Sequence, residues 1–227
     1  MSVFNDDVLL IHIPKCAGTS ARDYLLAHLP NAVDSLAEPK GPLPVDSTPL
    51  RHISEYTGRP LDSWKRIIIP IRNPYEQVVS HWSYHWNRYA QGGRHVHDET
   101  AAAFPRLHAW LLHPHSDWRT WYETAVRCQP IGKAAEVIRS TGFYEYYSTT
   151  ESGEVPDNVT FIDCAVITAE FPKAVAEWCG GEHEFPHTRS SPHSKDPHAY
   201  FVAPIAYNVV HERFRWAFAN FYERVAA

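Results

Sequence analysis

Nine consecutive residues, His12-Ile13-Pro14-Lys15-Cys16-Ala17-Gly18-Thr19-Ser20, combine the parts of an anion cradle. Gly18 lets backbone approach a ligand closely, Thr19 and Ser20 offer hydroxyl donors, and Lys15 brings a full positive charge. Backbone N–H groups at a helix N-terminus, reinforced by the helix dipole, attract phosphate-like anions. The order differs from the Walker A pattern, where lysine follows the last glycine. Here Lys15 precedes Gly18 by three residues. A second set follows in Ile71-Arg72-Asn73-Pro74-Tyr75, with Ser80 eight residues after Arg72. An arginine at that point suits a phosphate and offers nothing to a metal ion. The pairs His81/His85, His95/His97, His113/His115 and His183/His187 have ligand-like spacing. No cysteine or carboxylate completes a tetrahedral set with them at typical spacing, so no metal is expected.

These residues need elements to hold them. Val8 to Ile13 is an almost continuous apolar run, as in a strand covered on both faces. Ala21, Tyr24, Leu25 and Leu29 then recur at helical spacing, so the cradle sits between strand and helix. The pattern repeats with Arg66 to Ile71 as a second buried strand, where Pro70 predicts a bend or bulge. Asn73 can cap a helix and Pro74 suits its first turn, and Tyr75, Val79, Trp82, Trp86 and Tyr89 form an apolar stripe. A third strand is expected at Val159 to Ile162, then a helix through Phe171 to Trp178. One amphipathic helix from Tyr207 to Val225 closes the chain. Pro30 to Pro49 and His183 to Pro204 read as irregular, and Gln91 to Ser116 as a His-rich insertion or mobile loop. Further helices are expected over Asp117 to Arg127 and Gly132 to Ser140. Repeated strand–loop–helix units predict an α/β domain with a central parallel sheet, P-loop-like and three-layered, as one domain over residues 1–227.

The spelling of the first loop resembles the 5′-phosphosulfate-binding loop of the carbohydrate-type sulfotransferases, the group that includes heparan sulfate 2-O-sulfotransferase and bacterial relatives. The strand, Arg-Asn-Pro, helix and serine of the second set are similar to that family's 3′-phosphate motif. The resemblance implies a sulfuryl donor, 3′-phosphoadenosine 5′-phosphosulfate (PAPS), and 3′,5′-ADP as its product. It places the donor on Lys15, Cys16, Ala17, Gly18, Thr19 and Ser20, and the 3′-phosphate on Arg72 and Ser80. Arg51-His52-Ile53-Ser54 lies where bacterial members carry a Lys-His or Gly-His element, which makes His52 the candidate general base. Glu55, His12 and His81 compete for that role. Arg189 and Ser190 fall in a stretch resembling the late loop that closes over the nucleotide. At Asp163-Cys164-Ala165 the sequence departs from the family's Arg-x-Glu, and no role is carried there.

Sulfuryl transfer resembles phosphoryl transfer, with in-line displacement and negative charge growing on the leaving phosphate. Lysine and loop amides stabilise that charge, and a histidine of ordinary pKa near ~6.5 suits deprotonation of the acceptor. The acceptor is a hydroxyl or amine on a small molecule, saccharide or lipid, with residues 91–130 shaping its pocket. A P-loop kinase or NTPase is the alternative enzyme, weakened by the absence of an aspartate where the second strand ends at Arg72. A PAPS- or 3′,5′-ADP-binding module without catalysis is the alternative of another class.

Composition sets the outer limits. A formal charge of −5 lacks the basic excess of a non-specific nucleic-acid binder. Protonating all 15 histidines would carry it to +10, so surface charge changes steeply below neutral pH. Four cysteines show no CxxC pairing, and no run approaches the ~20 apolar residues of a membrane span. A cytoplasmic enzyme is the expectation.

Overall fold

The structure is a computed structural model that describes residues 2–34, 49–93, 96–103, 106–112, 143–187 and 196–222. The fold is α/β, a five-stranded mixed sheet with flanking helices. Contacts group the chain into two compact units, residues 1–72 with 145–190, and residues 73–144 with 191–227.

The first unit carries the sheet. Its strands are β1 (Ser2–Phe4), β2 (Val8–Ile11), β3 (Val33–Asp34), β4 (Arg66–Ile71) and β5 (Val159–Asp163), in the order β3-β1-β2-β4-β5. Strands β2, β4 and β5 run parallel, as their unbroken apolar runs predict, whereas β1 and β3 pair antiparallel. The expected all-parallel sheet is therefore mixed. The reason is a tight hairpin at Asn5, whose Oδ1 accepts from the N–H groups of Asp7 (2.9 Å) and Val8 (2.8 Å) and folds β1 back onto β2. An Asx turn of this kind needs only one short polar side chain. The bulge expected at Pro70 is absent, since the β4–β5 register runs unbroken from Ile67↔Val159 to Ile71↔Asp163. The β2–β4 ladder has already ended at Leu10↔Ile68, so a missing N–H at Pro70 takes nothing from that side.

Helices α1 (Gly18–His28) and α7 (Ile167–Cys179) cover one sheet face, packing Tyr24, Leu25, Phe171 and Val175 on Leu10, Ile68 and Ile162. Helix α7 starts four residues before its expected first residue and ends on Gly180 in the left-handed conformation (φ 74°). Leu9, Ile67 and Ile69 point to the opposite face and are also fully buried. Burying each such side chain contributes about 1.5–3 kcal/mol. Helix α2 (Leu50–Thr57) precedes β4, and α6 (Phe143–Ser148) precedes β5.

In the second unit Asn73 caps α3 (Pro74–Ala90), its side chain accepting from the Tyr75 N–H at 3.0 Å. Tyr75 anchors an aromatic cluster with His198, Phe201, Tyr207 and Phe218, and its hydroxyl meets His211 Nε2 at 2.5 Å. Burial pushes the Tyr75 phenol up to about 12. Trp82 is buried, but Trp86 is 41% exposed and so is no core residue. The stretch expected to be an insertion or mobile loop contains α4 (Val96–Ala103) and α5 (Leu107–Leu112). Ala101, Leu107, Trp110 and Leu111 bury there, which the density of histidine and proline obscured. The closing helix is two, α8 (Pro204–Arg213) and α9 (Arg215–Asn220), broken at the fully buried Phe214 (φ −113°, ψ 22°). The helices expected over residues 117–127 and 132–140 lie outside the described residues, as do Trp118 and Trp121.

Candidate functional site

The cradle follows β2, and two of its residues take backbone conformations unusual for their type. Lys15 (φ 66°) and Ala17 (φ 56°) are both left-handed. Such conformations cost of order 1–3 kcal/mol and persist where the surroundings impose them. Here the tight path is fixed by the Cys16 N–H bonding Ile13 O at 3.2 Å. Ala17 is the N-cap of α1, and the Ala21 N–H is the one that first bonds back to it (3.1 Å). The N–H groups of Gly18, Thr19 and Ser20 fall in the turn where a helix has no internal acceptors. The N-cap residue Ala17 has no side-chain group that could cap α1.

His12 and Gly18 are coupled in a way the sequence concealed. A Cβ added to Gly18 would stand 1.7 Å from His12 Cδ2 and 2.5 Å from its Cγ. The imidazole thus lies directly on the glycine, so the close approach that requires Gly18 is that of a side chain of the same loop. His12 is 8% exposed, and its Nδ1 finds no partner among the described residues. Burial, then the positive charges of the N-terminus, Lys15 and Arg22, hold His12 well below the ordinary histidine range, in the neutral form.

Arg72 joins this loop from the end of β4. Its Nη1 donates to Lys15 O at 3.3 Å, while the adjacent Ile71 O accepts from the Cys164 N–H at 2.8 Å. The neighbouring Cys16, then burial, push the Cys164 thiol well above the ordinary cysteine range. Residues following β2, β4 and β5 therefore meet at the C-terminal edge of three adjacent parallel strands. Ligands of open α/β sheets bind at that edge. Asp163 ends β5 there, its Oδ1 accepting from the Ala165 N–H at 2.7 Å.

Of the other expected residues, Ser80 and His52 lie on helices. Ser80 lies two turns into α3, buried, in the helical unit. His52 is on α2, with Nε2 3.1 Å from Tyr146 Oη and Nδ1 4.0 Å from Glu55 Oε2. Arg51 lies over the same Tyr146 ring (4.6 Å) and donates to Tyr146 O (3.1 Å), which ties α2 to α6. Burial, then the Arg51 charge, lowers the His52 pKa. Just beyond α2, Arg59 donates to Asn5 O and Asp6 O, at the edge where β2 begins. Arg189, Ser190, His95, His113 and His115 are outside the described residues.

His81 and His85 are buried on α3 with ring centroids 4.8 Å apart. His183 stacks on His28 at 3.9 Å, a neighbour its spacing to His187 did not suggest. Among the described residues, no three His, Cys, Asp or Glu side chains cluster as metal ligands, and no helix is long and apolar enough to cross a membrane. Two grooves open on the sheet-bearing unit, about 470 Å³ beside Thr168, Pro172 and His183, and about 170 Å³ beside Phe161, Val166 and Ala174. Neither is lined by residues 12–20.

Compared with known proteins, the chain matches no family model, no curated protein and no solved structure.

Proposed function

We propose that this chain is a PAPS-dependent sulfotransferase with a P-loop-like nucleotide site, moving a sulfuryl group to a hydroxyl or amine of a small-molecule, saccharide or lipid acceptor. The observation that carries the reading is the joining of Arg72 to Lys15 O at the C-terminal edge of the parallel strands. It brings two cationic residues, 57 positions apart in sequence, to the edge where a nucleotide with two separate phosphate positions would need them. Lys15 and the first-turn amides of α1 hold the 5′-phosphosulfate and take up the charge that develops on the leaving oxygen. Arg72 holds the 3′-phosphate. In-line attack by the acceptor on sulfur breaks the bond to the bridging oxygen and releases 3′,5′-ADP. The acceptor proton passes to a histidine. His12 adjoins the cradle through its contact with Gly18, which favours it over His52 for that step.

Calorimetry with 3′,5′-ADP and 5′-AMP tests the nucleotide site. A charge-assisted contact to the 3′-phosphate is worth about 1.5–3 kcal/mol, a preference of roughly 10–150-fold for 3′,5′-ADP. Arg72→Ala abolishes that preference, and equal affinity of the wild-type protein for both nucleotides refutes the assignment. A screen for sulfated products with PAPS and purified protein then identifies the acceptor.

A magnesium-dependent phosphoryl transferase is kept as the second reading by one observation, the position of Asp163 at the end of β5 on the same edge. Its carboxylate accepts from the Ala165 N–H at 2.7 Å. Loss of activity in EDTA, restored by Mg²⁺, selects this reading.

A further inference from the structure

His12 is 8% exposed, and its Nδ1 has no hydrogen-bond partner among the described residues. Buried polar atoms are paired in the great majority of cases, and an exception calls for a functional reason. Gly18 gives the ring its place. The Cδ2–Nε2 edge faces the first residue of α1, 1.7 Å and 2.4 Å from where a Cβ would stand. The imidazole is therefore seated against the turn whose N–H groups have no internal acceptors. Such a turn attracts anions, and its N-cap Ala17 supplies no side-chain oxygen to it. The helix start and the buried, unpaired imidazole are independent features that coincide at Gly18.

The strongest charges acting on the ring oppose its protonation. The N-terminus, Lys15 of the same loop and Arg22 of α1 are all positive. Arg22 is matched by Asp23 and Asp34. Arg72 follows β4 and donates to Lys15 O, and Asp163 ends β5 at the same edge. With burial added, the protein on its own keeps His12 neutral. An anion seated at the start of α1 acts the other way, since an opposite charge within ~4–6 Å moves a pKa toward the charged form by ~1–3.

We infer that the cradle binds an oxyanion and a proton together, the anion at the N-terminus of α1 and the proton on His12. The ligand class is a dianion of sulfate or phosphate type. The inference rests on the reading of this loop as an anion site, and on nothing specific to a nucleotide or to sulfuryl transfer. In the reaction proposed above, the proton taken from the acceptor would rest on His12 beside the leaving phosphate. Affinity then depends on pH in a fixed sense. Above the pKa that His12 has in the complex, the anion binds without a proton. As pH falls from that value toward the pKa of the ligand-free protein, affinity rises up to ~10-fold per pH unit, and it levels off below.

Inorganic sulfate is the probe, because it stays a dianion throughout the range and adds no titration of its own. Its affinity is measured by calorimetry between pH 8 and pH 5 for the full chain and for His12→Gln. The other histidines are common to both proteins, so the general change in surface charge cancels. The wild-type protein is expected to gain at least ~10-fold more affinity than the variant over this range, with the two alike at pH 8. Parallel profiles overturn the inference, as does sulfate binding that Lys15→Ala leaves unchanged. Should the variant not fold, the His12 imidazole resonance of the wild-type protein is titrated with and without saturating sulfate. A pKa raised by at least ~1 supports the coupling, and an unmoved one overturns it. Proton-linked sulfate binding in a protein that binds 3′,5′-ADP and 5′-AMP equally upholds the inference and removes the nucleotide reading. A preference for 3′,5′-ADP with parallel sulfate profiles does the reverse.

Discussion

Gly18→Ala adds one methyl group at the tightest point of the cradle. The new Cβ would be 1.7 Å from His12 Cδ2 and 2.4 Å from Nε2, and the ring's own Cγ is only 2.5 Å away. Because the clash includes the atom that joins the ring to the backbone, rotation of the ring tip cannot relieve it. Either His12 leaves its buried position or the first turn of α1 shifts. Overpacking of this kind costs about 1–3 kcal/mol, a fall in Tm of roughly 2–10 °C for a chain of this size. The urea midpoint should drop with an unchanged m-value. A double-mutant cycle isolates the cause. In a His12→Ala background these three contacts are gone, and Gly18→Ala should be neutral or slightly stabilising, since alanine is the better helix former. The coupling between the two sites is then at least ~1 kcal/mol. Equal destabilisation in both backgrounds, measured by urea unfolding, refutes the claim that His12 is what requires the glycine.

Lys15→Ala should depress kcat far more than it weakens PAPS binding, because the charge it meets is largest in the transition state; single-turnover transfer against calorimetric affinity separates the two. His52→Ala should remove the bond to Tyr146 and cost about 1–3 kcal/mol of stability while the folded variant still transfers sulfate; a ~10²–10⁴-fold loss in transfer would instead make it the base. His12→Gln should show that larger loss, with 3′,5′-ADP affinity preserved. Stability should fall on acidification. His12, His52 and His28 are all lowered in the folded state, so their neutral forms are favoured by folding and the unfolded chain binds more protons below pH ~6.5. That stability is fully present above ~6.5 and is lost as pH falls toward the folded values, with a slope of up to ~1.4 kcal/mol per pH unit for each group. Urea midpoints between pH 7.5 and 5.5 measure it, and a flat profile would show that these imidazoles are not held neutral.

Local pattern determined the central strands, the cradle and the helix after Arg72. Runs such as Val8 to Ile11 and Arg66 to Ile71 are long enough to show double-sided burial, and Asn73-Pro74 writes its own helix start. Shorter or continuous signals failed. Strands of two or three residues, such as β3 and β1, cannot display a period, so the antiparallel edge was invisible. The apolar stripe of the closing segment runs straight through Phe214, and a stripe that continues across a break cannot report it. What the tertiary structure alone decided is which distant side chains meet. The fold puts Arg72 on Lys15 O, the Cys164 N–H on Ile71 O and His52 on Tyr146, and these contacts follow from strand order and register, which no local pattern encodes. Even within the cradle, the pairing of His12 with Gly18 depends on how the chain turns through two left-handed residues, neither of them a glycine. Residue types raised the proposal of an anion site; the turn of the backbone decided which of them touch.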